Sequence, residues 1–183
     1  MDASYTAFSS FRRLAKGQMP EVIRVAKAAW DADPSARILV FDDRTGRQIE
    51  FDWSGTPDSI IGPAMAPQHR KPGRPRLGVD CAEICLLPRQ WEWLAAQPRS
   101  ASATVRRLIE AARKAESPED RLRERIDAAA TFMWAIAGDL PGFEEASRAL
   151  YRHDWPSLRE RIAGWPPDVG AQVQELVGIA PDG

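Results

Sequence analysis

Glu83-Ile84-Cys85-Leu86-Leu87-Pro88-Arg89-Gln90-Trp91-Glu92-Trp93-Leu94 is the stretch on which the reading of the fold turns. Its first five residues are β-prone, and Pro88 closes them. Proline suits the first turn of a helix, where a missing N–H costs nothing, so a helix is expected from Pro88 to Gln97. Pro98-Arg99-Ser100-Ala101 then makes a turn. Ser102 is placed to cap a second helix, Ala103 to Lys114, through its side-chain oxygen. In that helix Val105, Leu108, Ile109 and Ala112 fall at i, i+3, i+4 and i+7, one continuous apolar stripe. Arg106, Arg107, Arg113 and Lys114 occupy the other face.

A single five-residue strand followed by two helices cannot satisfy its own edges. The order strand, proline, helix, capped helix resembles ribbon-helix-helix regulators, in which a second copy of the chain supplies the partner strand. The resemblance implies a homodimer built through Ile84, Cys85, Leu86 and Leu87, with double-stranded DNA as partner. The ribbon would enter the major groove, and the N-terminus of the second helix at Ser102 would meet a phosphate. Arg89, Arg99, Arg106 and Arg107 would neutralise further phosphates. Two registers are open. Counting back from Pro88, Leu87, Cys85 and Glu83 face inward, leaving Leu86, Ile84 and Ala82 toward the groove; a slip of one residue reverses this. Neither register offers Arg, Asn or Gln for direct base reading. Trp91 and Trp93, two apart on a helix, point about 200° from each other. Trp91 is expected to pack inward with Leu94, leaving Trp93 for the dimer interface or the C-terminal helices.

Charge supports a polyanionic partner. Residues 70–114 hold ten Arg or Lys and four Asp or Glu, while the whole chain carries −1. A basic segment inside an acidic remainder marks a localised anionic partner. The basic run starts in a Pro- and Gly-rich linker, residues 56–76, whose end includes Arg70, Lys71, Arg74 and Arg76. Gly73-Arg74-Pro75-Arg76 resembles the core of an AT-hook, which lies in the narrow minor groove.

Upstream, residues 1–55 read as a small βαββ unit. Tyr5 to Leu14 is strand-like, and Pro20 opens a helix with Val22, Val25, Ala26 and Ala29 in line. Arg37–Phe41 and Arg47–Trp53 are strands joined by Asp42-Asp43-Arg44-Thr45-Gly46, a turn whose glycine supplies positive φ. Asp42 and Asp43 serve that turn, and no third metal ligand is in view. Residues 77–115 are the ribbon-helix-helix-like segment, and 116–183 form three or four further helices. Ser117 and Pro118 open one with an apolar face of Leu122, Ile126, Ala129, Ala130 and Met133. Asp139-Leu140-Pro141-Gly142, Asp154-Trp155-Pro156 and Pro166-Pro167-Asp168 punctuate the others.

The 183 residues, 44% hydrophobic and 28% charged, with seven Trp spread along the chain, describe an ordinary folded protein. Met1 to Tyr5 has neither the basic region nor the apolar run of a signal peptide, and no apolar stretch is long enough for a bilayer, so a cytoplasmic location is expected. Cys81 and Cys85, four apart on one strand, would lie about 13 Å apart, too far for a disulfide or one metal ion. No phosphate-binding glycine loop, zinc-protease motif or nucleophile elbow is present, and His69 and His153 stand apart. The expectation is therefore no enzyme, no cofactor and no metal.

The chain also resembles a bacterial family, domain of unknown function 2239. The resemblance rests on Phe41 to Gln48, Gly73 to Val79, Leu86 to Leu94, Ala137 to Ala146 and Ile162 to Pro166. It implies a bacterial origin and a shared architecture, and it carries over no catalytic residue. The fold expected is α+β: an N-terminal βαββ unit, a central strand-helix-helix and a C-terminal helical bundle. The function expected is a DNA-binding transcriptional regulator or nucleoid-associated protein acting as a homodimer. The alternative is a protein-interaction module that keeps the ribbon for dimerisation alone.

Overall fold

Tyr5–Ser9 (β1) and Arg12–Gly17 (β2) form a tight antiparallel hairpin around Ser10 and Phe11 in a computed structural model that describes residues 3–65, 84–115 and 117–179. Ser10 takes the left-handed conformation, φ 53°, that the turn demands. This hairpin adds a strand to the three expected from sequence. Met19–Ala32 (α1) follows, with Pro20 in its first turn, and Ile38–Asp42 (β3) returns beside β1. Gln48–Ile49 (β4) completes an antiparallel sheet of order β2-β1-β3-β4. Beyond it Phe51 and Trp53 leave the ladder, yet still pack with Ile49 against the residues buried under α1.

Residues 57–65, whose proline and glycine content reads as linker, form a helix instead, Pro57–Met65 (α2). Thr56 begins it: its Oγ1 accepts from the Ser59 N–H at 3.4 Å. Ile60 anchors it, buried with Met19 and Ile23 of α1. Local composition misleads here because one buried isoleucine on an apolar neighbour outweighs two interior breakers.

Downstream come Pro88–Ala95 (α3), Ala101–Ala115 (α4), Pro118–Ala137 (α5), Phe143–Tyr151 (α6), Trp155–Ile162 (α7) and Pro167–Val177 (α8). The protein is thus a mixed α+β chain with one four-stranded sheet and eight helices among the described residues. It divides into two compact units: residues up to Met65 together with those from Glu119 onward, and the residues between. No described helix is long and apolar enough to cross a membrane.

In the first unit the sheet and the C-terminal helices share one core. The side chains of Phe8 (β1), Phe41 (β3) and Phe132 (α5) are essentially without solvent exposure. Their ring centroids are 4.9–6.0 Å apart, in tilted or edge-on arrangements that suit the ring quadrupoles. Of the expected α5 stripe, Ile126, Ala129 and Met133 are buried in this core with Phe132 and Ile136, while Leu122 and Ala130 are partly buried against it. Leu150, Leu158, Val169 and Val173 from the last three helices join them. Trp165 is buried too, and its indole N–H donates to the Pro141 carbonyl at 2.9 Å, tying two helix connections together.

A polar seam runs beside the apolar one. Asp43 is the hub. One of its carboxylate oxygens accepts from the Thr6 hydroxyl at 2.7 Å and the Gln172 amide at 2.9 Å, and the other accepts from Ser4 at 2.7 Å. Thr6 and Gln172 are fully buried, so unsatisfied they would cost stability. Gln172 in turn accepts from Arg13, which also bonds Glu175, and Lys16 bonds Glu175 as well. Partial burial raises the Glu175 pKa, but the bonds from Lys16 and Arg13 outweigh it and leave the carboxyl below its ordinary value. Asp168, in the first turn of α8, accepts from the Arg13 backbone N–H at 2.8 Å and so covers part of the exposed edge of β2. Asp42 does serve its turn, accepting from the Arg44 N–H at 2.9 Å, whereas Asp43 belongs to this seam.

Gly46 has φ +67°, and a Cβ built on it would lie 1.9 Å from the Ala128 carbonyl oxygen of α5. Backbone cannot yield there as a flexible side chain would. Gly46→Ala should therefore cost about 2–4 kcal/mol from left-handed strain and overpacking, read from urea denaturation. An unchanged midpoint would contradict this account of how the β3–β4 turn seats on α5.

Candidate nucleic-acid interface

The central unit starts with Ile84 to Leu87, which pair with no described strand; Leu87 is extended at φ −67°, ψ 150°. The strand expected over 83–87 is not formed among the described residues: Ile84 to Leu87 belong to no strand and are largely open to solvent, which can satisfy their backbone groups. Leu87 stands at the N-cap of α3 but has no side-chain acceptor. Its own N–H donates to the Gln90 Oε1 at 2.8 Å, one half of a capping box. The helix stops at Ala95, two residues before the expected end.

Ser100, not Ser102, opens α4. The Ala103 N–H approaches Ser100 Oγ at 3.4 Å, and the Thr104 N–H donates to the Ser100 carbonyl at 2.9 Å. Both serines fit the local pattern, but starting at Ala101 adds two residues, about half a turn of helix, and leaves Ser102 exposed inside the first turn. The Ser102 carbonyl accepts from Arg106 Nε at 3.3 Å, which folds that side chain back toward the helix start.

Arg89 lies in the first turn of α3, Arg99 in the α3–α4 turn, and Arg106 and Arg107 in the second turn of α4. All four are exposed. Among the described residues none of these guanidinium groups has an ion-pair partner. Arg70, Lys71, Arg74 and Arg76, with the AT-hook-like run, lie outside the described residues, as do Ala82 and Glu83.

Only Leu94 and Thr104 are buried among the described residues of this unit. The apolar remainder is open: Ile84 is 60% exposed, Leu87 52%, Trp93 50% and Ile109 50%. Leu108 is also exposed, Leu86 is half-buried, and Cys85 is an exposed free thiol. Trp91 departs from expectation. Leu94 alone turns inward, and Trp91 stays as open as Trp93. The sequence did carry the signal for Leu108 and Ile109, since they form an amphipathic stripe, but a stripe does not say which molecule covers it.

The described residues contain no group of three or more His, Cys, Asp or Glu arranged to hold a metal ion. What the central unit can do chemically is present cations beside an apolar face. An α+β chain with a separate central helical hairpin is the class this geometry defines. The chain belongs to the family described as "Uncharacterized protein conserved in bacteria (DUF2239)", whose profile matches residues 4–177. No curated protein and no solved structure matches it.

The cap assignment is directly testable. Ser100→Ala should speed amide exchange at Ala103 and Thr104 roughly fivefold, the equivalent of a lost cap of about 1 kcal/mol, while Ser102→Ala should leave it unchanged. The reverse ranking would return the helix start to Ser102.

Proposed function

We propose that this protein is a DNA-binding homodimer, a transcriptional regulator or nucleoid-associated protein, whose central unit both pairs the two copies and carries the phosphate contacts. One observation carries the reading: exposed apolar side chains and unpaired arginines share the same short hairpin, residues 84–109. Ile84, Leu87, Trp91, Trp93, Leu108 and Ile109 are all open to solvent on this one hairpin, and apolar surface of that extent suits an association site. The exposed β-prone segment Ile84 to Leu87, which belongs to no strand among the described residues, would form one by pairing with its own copy, because an antiparallel ribbon about a two-fold axis is self-complementary. Two copies bring two sets of Arg89, Arg99, Arg106 and Arg107 to one assembly. The early amides of α4, beside Arg99 and Ser102, add donors for a phosphate oxygen.

The side chains of Ile84, Cys85, Leu86 and Leu87 offer no hydrogen bond to a base edge. DNA binding of this kind is phosphate-centred and weakly selective in sequence. The same feature favours a second reading, an interaction module that dimerises without DNA. No catalytic step is assigned under either reading.

Affinity for a duplex of about 20 base pairs should fall roughly a thousandfold or more between about 50 and 200 mM salt, as six or more neutralised phosphates require. Leu87→Lys should abolish self-association and weaken DNA binding together. Absent binding at low salt, or binding indifferent to salt, would contradict the proposal. A dimer lost on Leu87→Lys that ignores DNA at every salt concentration would establish the second reading in its place.

A further inference from the structure

Trp134 and Tyr151 are the two most exposed large hydrophobic side chains among the described residues, 75% and 61%. Both line one groove of about 670 Å³ between α5 and α6. At one end Trp134 packs against Phe143, with ring centroids 5.6 Å apart. Tyr151 lies eight residues further along α6, about 12 Å at 1.5 Å per residue. Ala130 and Ser147, both small, line the groove as well. An adjoining hollow adds Asp139 and Glu145 to Glu144 at the Trp134 end. Arg148 is held there by Glu145 at 2.8 Å and Glu144 at 3.8 Å, so three carboxylates face one cation. A counterpart stands on the central unit. The α4 stripe from Val105 to Ala112 is seven rises long, about 10.5 Å, and fits within the groove. Its Leu108 and Ile109 are 42% and 50% exposed. Arg106, about 100° round the helix from Val105, flanks the stripe, whereas Arg107, at about 200°, points away from it.

We infer that the α5–α6 groove of one copy receives α4 of a second copy, with the Val105 end of the stripe at Trp134 and Arg106 beside the carboxylates. Length and charge select this occupant together. A helix laid in a groove through i, i+3, i+4 and i+7 contacts is an established mode of recognition, and the small Ala130 and Ser147 leave room for its knobs. The acidic end of the groove attracts the cation that flanks the stripe. The same chain cannot supply the helix. Only Glu116 and Ser117 separate Ala115 from Pro118, and three extended steps span at most about 11 Å. Ala112 then reaches about 15 Å from Pro118, whereas Ala130, the first lining residue of α5, lies about 18 Å along that helix. Exchanging the two α4 helices about a two-fold axis makes the contact twice and closes the pair. The inference rests on the proposed homodimer for its second copy and names the surface that covers α4 there. Arg107, on the outer side, stays open to a phosphate.

The test mixes a full-length copy labelled with ²H and ¹⁵N with an unlabelled one, so that carbon-bound protons belong to the second copy alone. The Trp134 indole N–H, identified by its loss in Trp134→Phe, should show nuclear Overhauser contacts to methyl groups of the second copy's α4. Val105→Ile and Leu108→Met in the unlabelled copy assign those methyls. Sedimentation of Tyr151→Ala and Glu144→Arg should show two-copy association weakened about fivefold or more. Both side chains are too exposed for these changes to unfold the protein. A two-copy species without the contacts overturns the inference and leaves the homodimer standing. Contacts seen only in a uniformly labelled sample, or variants that associate as wild type, overturn it too. A solely one-chain protein overturns this inference and the homodimer together.

Discussion

Phe132, with Phe8 and Phe41 against its ring, and the Ala128 carbonyl beneath Gly46 hold one face of the sheet on α5. The rest of the larger unit is arranged around that contact. Once α5 lies on the sheet, α6 to α8 bury Leu150, Leu158, Val169 and Val173 in the same core. Gln172 then reaches Asp43 across 129 positions of sequence. Burial of three phenylalanines supplies the driving force, and the Asp43 seam keeps the buried polar groups satisfied, which limits the ways the two layers can slide.

The central unit is built on the opposite principle. It buries Leu94 and Thr104 and leaves Ile84, Leu87, Trp91, Trp93 and Ile109 largely open, so its apolar surface finds no cover among the described residues of its own unit. In the larger unit the arginines and lysine beside acidic side chains are spent: Arg13 and Lys16 on Glu175, Arg148 on Glu145. In the central one Arg89, Arg99, Arg106 and Arg107 carry no such partner. These arginines share their short hairpin with open apolar side chains, and exposed cations in that setting suit an external anion as partner.

Where the sequence was legible, a local rule was strong enough to decide. The α5 stripe at Ile126, Ala129 and Met133 is periodic over several turns. Asp154 caps α7 through Ser157, and those two bonds hold its carboxyl below its ordinary pKa. Where the sequence was not legible, distance or ambiguity was the cause. The β1–β2 turn lacks glycine and asparagine, and Ser10 adopts its left-handed conformation without a compositional signal. Helix α2 hides behind Pro57, Gly62 and Pro63 because its anchor is tertiary, through Ile60. Asp43 read as turn chemistry because its partner Gln172 belongs to the far end of the chain. In the candidate interface the arginines were visible as a charge excess, whereas the openness of Trp91 depends on which face α3 turns inward, and α3 is too short to fix that by periodicity.

The central claim is that two copies join through the open face of residues 84–109 and present their arginines to one polyanion. Native mass spectrometry of the full-length protein with a short duplex tests it most directly, because it counts chains per DNA. The account predicts complexes holding two chains on one duplex, with the two-chain species already present without DNA. Complexes built from single chains, or a solely one-chain species that leaves the duplex unbound, would contradict it.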